Sequence, residues 1–367
     1  MPRTPIRIFA SLSLAFCLVA LLPLRAAAWG RDGHQIVAAI ARARLTQLKA
    51  RNALKNIDAI LKPTPGVSIL RQPRDLFEAS LWPDNVRGTD EYGFADNLHF
   101  VSIELKKDGV PDKYVKSRNC KTSDEIPQVP EGVCIIGALE HYTRVLSDSS
   151  STKAARIEAL SFVVHFMGDL HQPLHTSEDK TFVNHLIING QPGRGDRGGN
   201  HRFIFYLAGN AFESDDPESC LERENACTEG FPNSEGVVER SNRKLHAAWD
   251  KYMIQTEMRR NSKRPDFTTY ADELFKQLPV SPADPQYAAI EAGDFVIWAE
   301  ESHHVAELNA YELIGPKAKI SAADDKEYSF FLLDDAYRRK NILIVDQQLI
   351  RAGIRLAAVL RKIFPES

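Results

Sequence analysis

The chain has 367 residues, 43% of them hydrophobic and 26% charged, with 20 Gly and 20 Pro, which excludes a low-complexity or bulk-disordered chain and supports a folded core. Its formal net charge of -3 excludes a protein that grips nucleic acid by a broad basic face. Any affinity for phosphate has to come from a local site.

Residues 1–28 form the first expected element. Arg3 and Arg7 supply a positive start, residues 8–24 are a nearly unbroken apolar run, and Ala26, Ala27 and Ala28 give small residues before a cleavage point. This reads as a secretory signal peptide, removed ahead of Trp29. The run is shorter than the roughly 20 residues a spanning helix needs, so no membrane anchor is expected. Cleavage strips Arg3, Arg7 and Arg25 and no acid, which leaves a more acidic product. That product is expected to be secreted or periplasmic, with no obligate protein partner. Cys17 leaves with the leader, and the remaining Cys120, Cys134, Cys220 and Cys227 form an even set suited to an oxidising compartment. Of the connectivities open to four cysteines, the local pairs Cys120 with Cys134 and Cys220 with Cys227 are expected, each clipping a loop.

The mature segment, 29–367, reads as a single all-α, mostly helical domain with short strands and long surface loops. Apolar residues recur at helical spacing at Ile36, Val37, Ile40 and Leu45, at Val133, Ile136, Leu139, Tyr142 and Leu146, and at Ile157, Leu160, Val164 and Met167. Further helices are predicted through Val238, Leu245, Trp249 and Tyr252, through Ile290, Ile297, Val305 and Leu308, and through Ile342, Leu349, Ile354, Leu356 and Leu360. Residues 97–103 and 202–207 read as short extended segments. The stretches 106–131, 176–200 and 210–235 are rich in Gly, Pro and charge, and read as surface loops.

The chemistry lies in the pairing of histidine with aspartate. His165 with Asp169, and His246 with Asp250, stand four residues apart on predicted helices, a step that turns about 40° and rises about 6 Å, so both side chains address one point. His175 follows Pro173, which should end the helix and fold the chain back toward the same place. Imidazole and carboxylate without thiolate suit a catalytic rather than a structural zinc site. An isolated pair of this kind is also compatible with a helix salt bridge.

Taken together, Trp29-Gly-Arg-Asp-Gly-His34, Trp82-Pro-Asp84-Asn-Val-Arg87, Leu98-His99-Phe100, the block from His165 to His175, Gly198-Gly199-Asn200 and Leu245-His246-Ala-Ala-Trp249-Asp250 follow one another in an order that resembles the S1/P1 nuclease family, over essentially the whole mature chain. The resemblance implies a secreted enzyme that binds three zinc ions and hydrolyses single-stranded DNA and RNA to 5′-phosphorylated products, with 3′-nucleotidase activity. It implies that one zinc takes Asp84, His99, His165 and Asp169, and a second takes the α-amino nitrogen and carbonyl oxygen of Trp29 with His34 and Asp169. The third would take His175, His246 and Asp250. It further implies a catalytic part for Asp84, Asp169 and Arg87, a phosphate contact by Arg87, base stacking by Phe100 and a substrate-side place for Asn200. Ser102 stands where a branch of that family has a base-contacting Asp, so base preference is open. His141, His171, His185, His201, His303 and His304 are expected to stay outside the ligand set. A zinc phospholipase C and a non-catalytic secreted binding protein are the alternatives; the five-residue step from Trp29 to His34 and the Asp at position 250 favour the nuclease.

Overall fold

The computed structural model describes residues 29–64, 72–106, 112–188, 191–206, 244–311, 317–321, 327–333 and 335–366. The predicted leader, Cys220, Cys227 and the stretch 210–235 lie outside them.

The core is helical. Helix α1 (Arg31–Gln47) packs along the 29-residue C-terminal helix α12 (Asp335–Ile363) and against α3 (Leu76–Val86) and α9 (Phe267–Phe275). Helix α2 (Arg51–Leu61) turns its apolar stripe of Ala53, Ile57, Ile60 and Leu61 inward. Helix α6 (Lys153–Asp169) lies between α3 and α5 (Ile135–Ser147), and every residue from Ala159 to Asp169 is buried, so this helix shows no polar face and brings His165 and Asp169 into the interior. Asp75 caps α3 by accepting from Glu78 N at 2.8 Å, and Thr152 caps α6 by accepting from Ala155 N at 3.2 Å.

A one-turn helix α4 (Lys116–Asn119) interrupts the expected loop at 106–131, and the disulfide Cys120–Cys134, one of the two expected local pairs, fastens it to the start of α5. Residues 97–103 are extended only in part: a 3-10 turn, Gly93–Leu98, precedes strand β1 (Ile103–Glu104), which pairs in parallel with β2 (Ser177–Glu178). The expected loop 176–200 holds β2 and the antiparallel pair β3 (Val183–Ile188) and β4 (Gln191–Arg194). Strand β5 (Phe203–Tyr206) is as expected; it runs parallel to β7 (Glu327–Leu333), which also pairs with β6 (Lys317–Ser321).

The expected helix through Ile290 and Leu308 is divided. Helix α10 (Pro285–Glu291) stops before Gly293, whose φ of +100° no helix accommodates, and Asp294 caps α11 (Phe295–Val305) by accepting from Ile297 N at 3.0 Å. Toward the centre of the chain, α7 (Leu245–Ala247) passes through a π-turn, Ala248–Tyr252, into α8 (Met253–Arg260). Among the described residues no helix is long and apolar enough to cross a membrane.

Candidate metal centre

Six chain segments bring imidazoles and carboxylates to one buried region. Helix α1 supplies His34 from its first turn, and Gly30 N donates to Asp250 O at 2.9 Å, fixing the start of α1 beside the π-turn. Helix α3 ends in Asp84, the 3-10 turn delivers His99, and α6 ends in His165 and Asp169 one turn apart. Pro173 opens a second 3-10 turn, Pro173–His175, which folds His175 back as its position after the proline suggested. His246 stands on α7, and Asp250 lies in the π-turn, a widened helical turn of the kind that re-aims side chains at functional sites.

The eight side chains fall into three groups, the first two sharing His165: His34, His165 and Asp169; Asp84, His99 and His165; and His175, His246 and Asp250. In each, the ligating atoms lie within 4.8 Å of one another. Asp169 carries its two oxygens to different partners, Oδ1 at 3.3 Å from His34 Nε2 and Oδ2 at 2.9 Å from His99 Nδ1 and 3.3 Å from His165 Nε2. Asp84 Oδ1 stands 3.7 Å from His165 Nε2 and 3.9 Å from His99 Nδ1. Asp250 Oδ2 lies 3.3 Å from His246 Nε2, and its Oδ1 3.9 Å from His175 Nε2.

Backbone carbonyls set the tautomers. His165 Nδ1 donates to Ser80 O, His175 Nδ1 to His99 O and His246 Nδ1 to Gly198 O, each at 2.7 Å. The Nε2 atoms of these three rings therefore carry lone pairs and point inward, the arrangement metal-binding histidines adopt. Gly198 adopts φ +59°, and a Cβ there would lie 2.2 Å from Leu174 O, so the carbonyl that holds His246 depends on a glycine. His34 Nε2, Asp84 Oδ1 and Asp169 Oδ1 are buried without a hydrogen-bond partner, a cost that a cation within reach would remove.

Electrostatics distinguish the groups. Burial draws His99 down to about 4, outweighing its hydrogen bond to Asp169. For Asp169 burial acts upward, but the charge of His165 and the close imidazoles of His34 and His99 prevail and hold the carboxyl well below its usual range. At His165 the balance falls the other way, Asp169 and Asp84 raising it against burial. Burial and the neighbouring His175 drive His246 well below the histidine range, while burial pushes Asp250 well above the carboxylate range despite its hydrogen bond from Gln172. Asp250 thus ionises fully only when a positive charge shares the group, while burial keeps His175 and His246 neutral. Imidazole nitrogen and carboxylate oxygen, with no thiolate, fit zinc at all three groups.

The remaining predicted residues border this region. Trp29 is fully buried, and its indole donates to Gly168 O at 2.7 Å; a Cβ on Gly168 would come within 2.8 Å of His34 Nδ1, so α6 can approach His34 only at a glycine. Arg87 is buried with Nη1 3.3 Å from Asp84 Oδ1 and Nε 3.9 Å from Asp96 Oδ1. Phe100, next to His99, is 40% exposed and lines a groove of about 290 Å³ with Asn97, Ser102 and Lys180. Asn200 is half-buried and donates to Arg197 O at 3.0 Å.

Among the other histidines, His171 accepts from Arg355 Nη1 at 3.0 Å, His141 pairs with Glu131 and His303 with Ser177 at 2.8 Å. His201 Nδ1 faces Gly195 O at 3.1 Å, and His304 pairs with Glu307. The side chain of His185 lies outside the described residues. Sequence reasoning missed Gln172, which donates to Asp250 Oδ1, and the carbonyls of Ser80 and Gly198. Proximity to His175 was the only mark Gln172 carried; the carbonyls carried none.

All of these groups fall within residues 29–209 and 232–365, which match the model of the S1/P1 Nuclease family. The chain belongs to that family. It is 27% identical to Endonuclease 2 of Arabidopsis thaliana over 343 residues, 92% of this chain and 90% of that protein. It is 33% identical to Nuclease P1 of Penicillium citrinum over 149 residues, 40% of this chain and 47% of that protein, and 30% identical to Nuclease S1 of Aspergillus oryzae over 169 residues, 42% and 50%. The enzyme is therefore a nuclease, a phosphodiesterase whose three His and Asp groups are its candidate metal sites.

Proposed function

We propose that this nuclease is a secreted or periplasmic enzyme holding three zinc ions per chain, and that it hydrolyses single-stranded DNA and RNA to 5′-phosphorylated products and releases phosphate from 3′-nucleotides. The observation that carries the metal reading is the convergence of inward-facing imidazole lone pairs with buried carboxylate oxygens in three groups. Asp84, His99, His165 and Asp169 would hold one ion, and His34, Asp169 and the freed amino end of Trp29 a second. His175, His246 and Asp250 would hold the third. When bound, the zinc ions supply Lewis acidity toward a phosphoryl group and an acidified water near neutral pH.

The chain's own residues account for binding and orientation. Asp169 and Asp84 are held ionised by the imidazoles and by Arg87 around them, so neither competes for a proton near neutrality. Arg87, fixed at the edge of the Asp84 group, presents a planar fork to the nonbridging oxygens of a phosphodiester, where charge develops during in-line attack. Phe100 offers an open ring face beside His99, and a base can stack on it only when unpaired, which supports the preference for single strands. Asn200 stands as a polar contact on the substrate side. Because few lysine–phosphate contacts are needed, binding should depend weakly on salt.

Assay of the processed protein on single-stranded DNA, RNA, a 3′-nucleotide and phosphatidylcholine, with and without chelator, tests the proposal. Chelator-sensitive cleavage of the nucleic acids and the 3′-nucleotide is expected. Hydrolysis of the lipid alone would establish a phospholipase C, and binding without turnover a non-catalytic protein.

A further inference from the structure

We infer that a cavity of about 440 Å³ between α1, α3 and α9 is a second base pocket, taking the nucleobase of the nucleotide that keeps the phosphate after cleavage. The inference rests on the nuclease reading above.

The cavity walls include Arg31, Gln35 and Asn85, and each is a near neighbour in sequence of a metal-centre residue: Gln35 follows His34, Asn85 follows Asp84, and Arg31 stands two residues after Trp29. One step along a helix rotates the side chain by about 100°, so the residues lining the cavity and those reaching into the centre occupy adjoining faces of the same turns. The groove beside Phe100, the residue that follows His99, shares no lining residue with this cavity. Sequence neighbours of the centre's residues thus line two separate recesses, and a dinucleotide offers two bases and one phosphate to fill them.

The lining chemistry selects a base rather than a phosphate. Arg74 donates to Glu78 through both Nε, at 3.0 Å, and Nη2, at 2.5 Å, while Asp75 is occupied in capping α3. With Arg31 the four charged wall residues sum to zero, and a neutral wall gives a polyanion no advantage. Phe77 and Phe267 meet edge to face with centroids 5.3 Å apart, and Trp82 lies in the same wall, which provides surfaces for a flat ring. Gln35 and Asn85 contribute two carboxamides, each a donor beside an acceptor, the pattern that base edges match. Gln35 is 6% exposed and its Oε1 has no hydrogen-bond partner, so a donor entering the cavity would relieve a buried acceptor. Every nucleobase carries such a donor, an exocyclic amino group on adenine, cytosine and guanine and a ring N–H on guanine, uracil and thymine.

The test compares hydrolysis of a dinucleotide with that of an analogue whose downstream nucleotide is abasic. The wild-type protein should prefer the base-bearing substrate, and Phe267→Ala should reduce that preference about tenfold, whereas Phe100→Ala should slow both substrates together. Gln35→Leu should narrow the preference for the base-bearing substrate whichever base it carries. Equal kcat/KM for the two substrates in the wild type, or a preference that both Phe267→Ala and Gln35→Leu leave intact, overturns the cavity assignment while leaving the nuclease standing. Failure of the wild type to hydrolyse either substrate overturns the nuclease reading, and the cavity assignment with it.

Discussion

His175 and His246 meet Nε2 to Nε2 at 3.0 Å, although each ring carries its proton on the opposite nitrogen and donates it to a backbone carbonyl. Two lone pairs at that separation, with Asp250 beside them, form a stable arrangement only around a cation. His246→Ala should therefore remove one zinc per chain and lower hydrolysis by about 100-fold or more, a larger loss than removal of an outer hydrogen bond gives. Asp169→Ala should be worse, because its two oxygens serve two groups. Zinc analysis alongside rates checks both, and equal zinc loss in the two variants contradicts the shared role of Asp169.

The Gln172 side chain reaches the centre at Asp250. Its amide fixes the direction in which the carboxylate faces, and the carbonyl of the preceding residue, His171, is held in turn by Gln348 Nε2 at 2.9 Å. Gln172→Ala is expected to weaken binding of the zinc assigned to His175, His246 and Asp250 by about 10- to 100-fold with the fold retained. Titration with a competing chelator measures it; an unchanged affinity would assign Gln172 a packing role alone.

Stability should fall in acid for a reason partly independent of metal. Burial holds His99 and His303 down to about 4, from 6.5 in an exposed histidine. Unfolding lets each take up a proton below 6.5, so the stability each contributes is complete above that pH, declines as pH drops toward 4 and is spent below it; each amounts to about 3 kcal/mol. For His99, loss of zinc in acid adds to the effect. His303 lies outside the metal groups, so His303→Gln should flatten the fall in melting temperature between pH 6.5 and 4 without changing zinc content. An unaltered slope would show that His303 is not held neutral.

Processing bears on the second metal group. If the amino end of Trp29 joins His34 and Asp169, extra residues ahead of Trp29 should cost one zinc and most activity, since an amide nitrogen is a poor ligand. Metal counts on tagged and cleaved protein decide this. Equal zinc in both forms would remove Trp29 from the ligand set and leave the other residues in place.

The sequence exposed the side chains of the centre more fully than the scaffold around them. His165 with Asp169 and His246 with Asp250 were visible because four-residue spacing on a helix aims two groups at one point, and Pro173 announced the return of His175. The break at Gly293 was missed because apolar spacing continued across it, and α3 was missed because its face is short and Pro83 stands within it. Gln172 was invisible as a holder of Asp250 because it depends on a contact across 78 residues. The carbonyls of Ser80 and Gly198 leave no trace in side-chain identity, yet they decide which nitrogen of His165 and His246 faces inward.

Elemental analysis of the purified, processed protein addresses the central claim most directly. Three zinc ions per chain, lost together with cleavage of single-stranded nucleic acid on chelation and regained on zinc addition, is the predicted result. Full activity in protein that carries no bound divalent metal would contradict it.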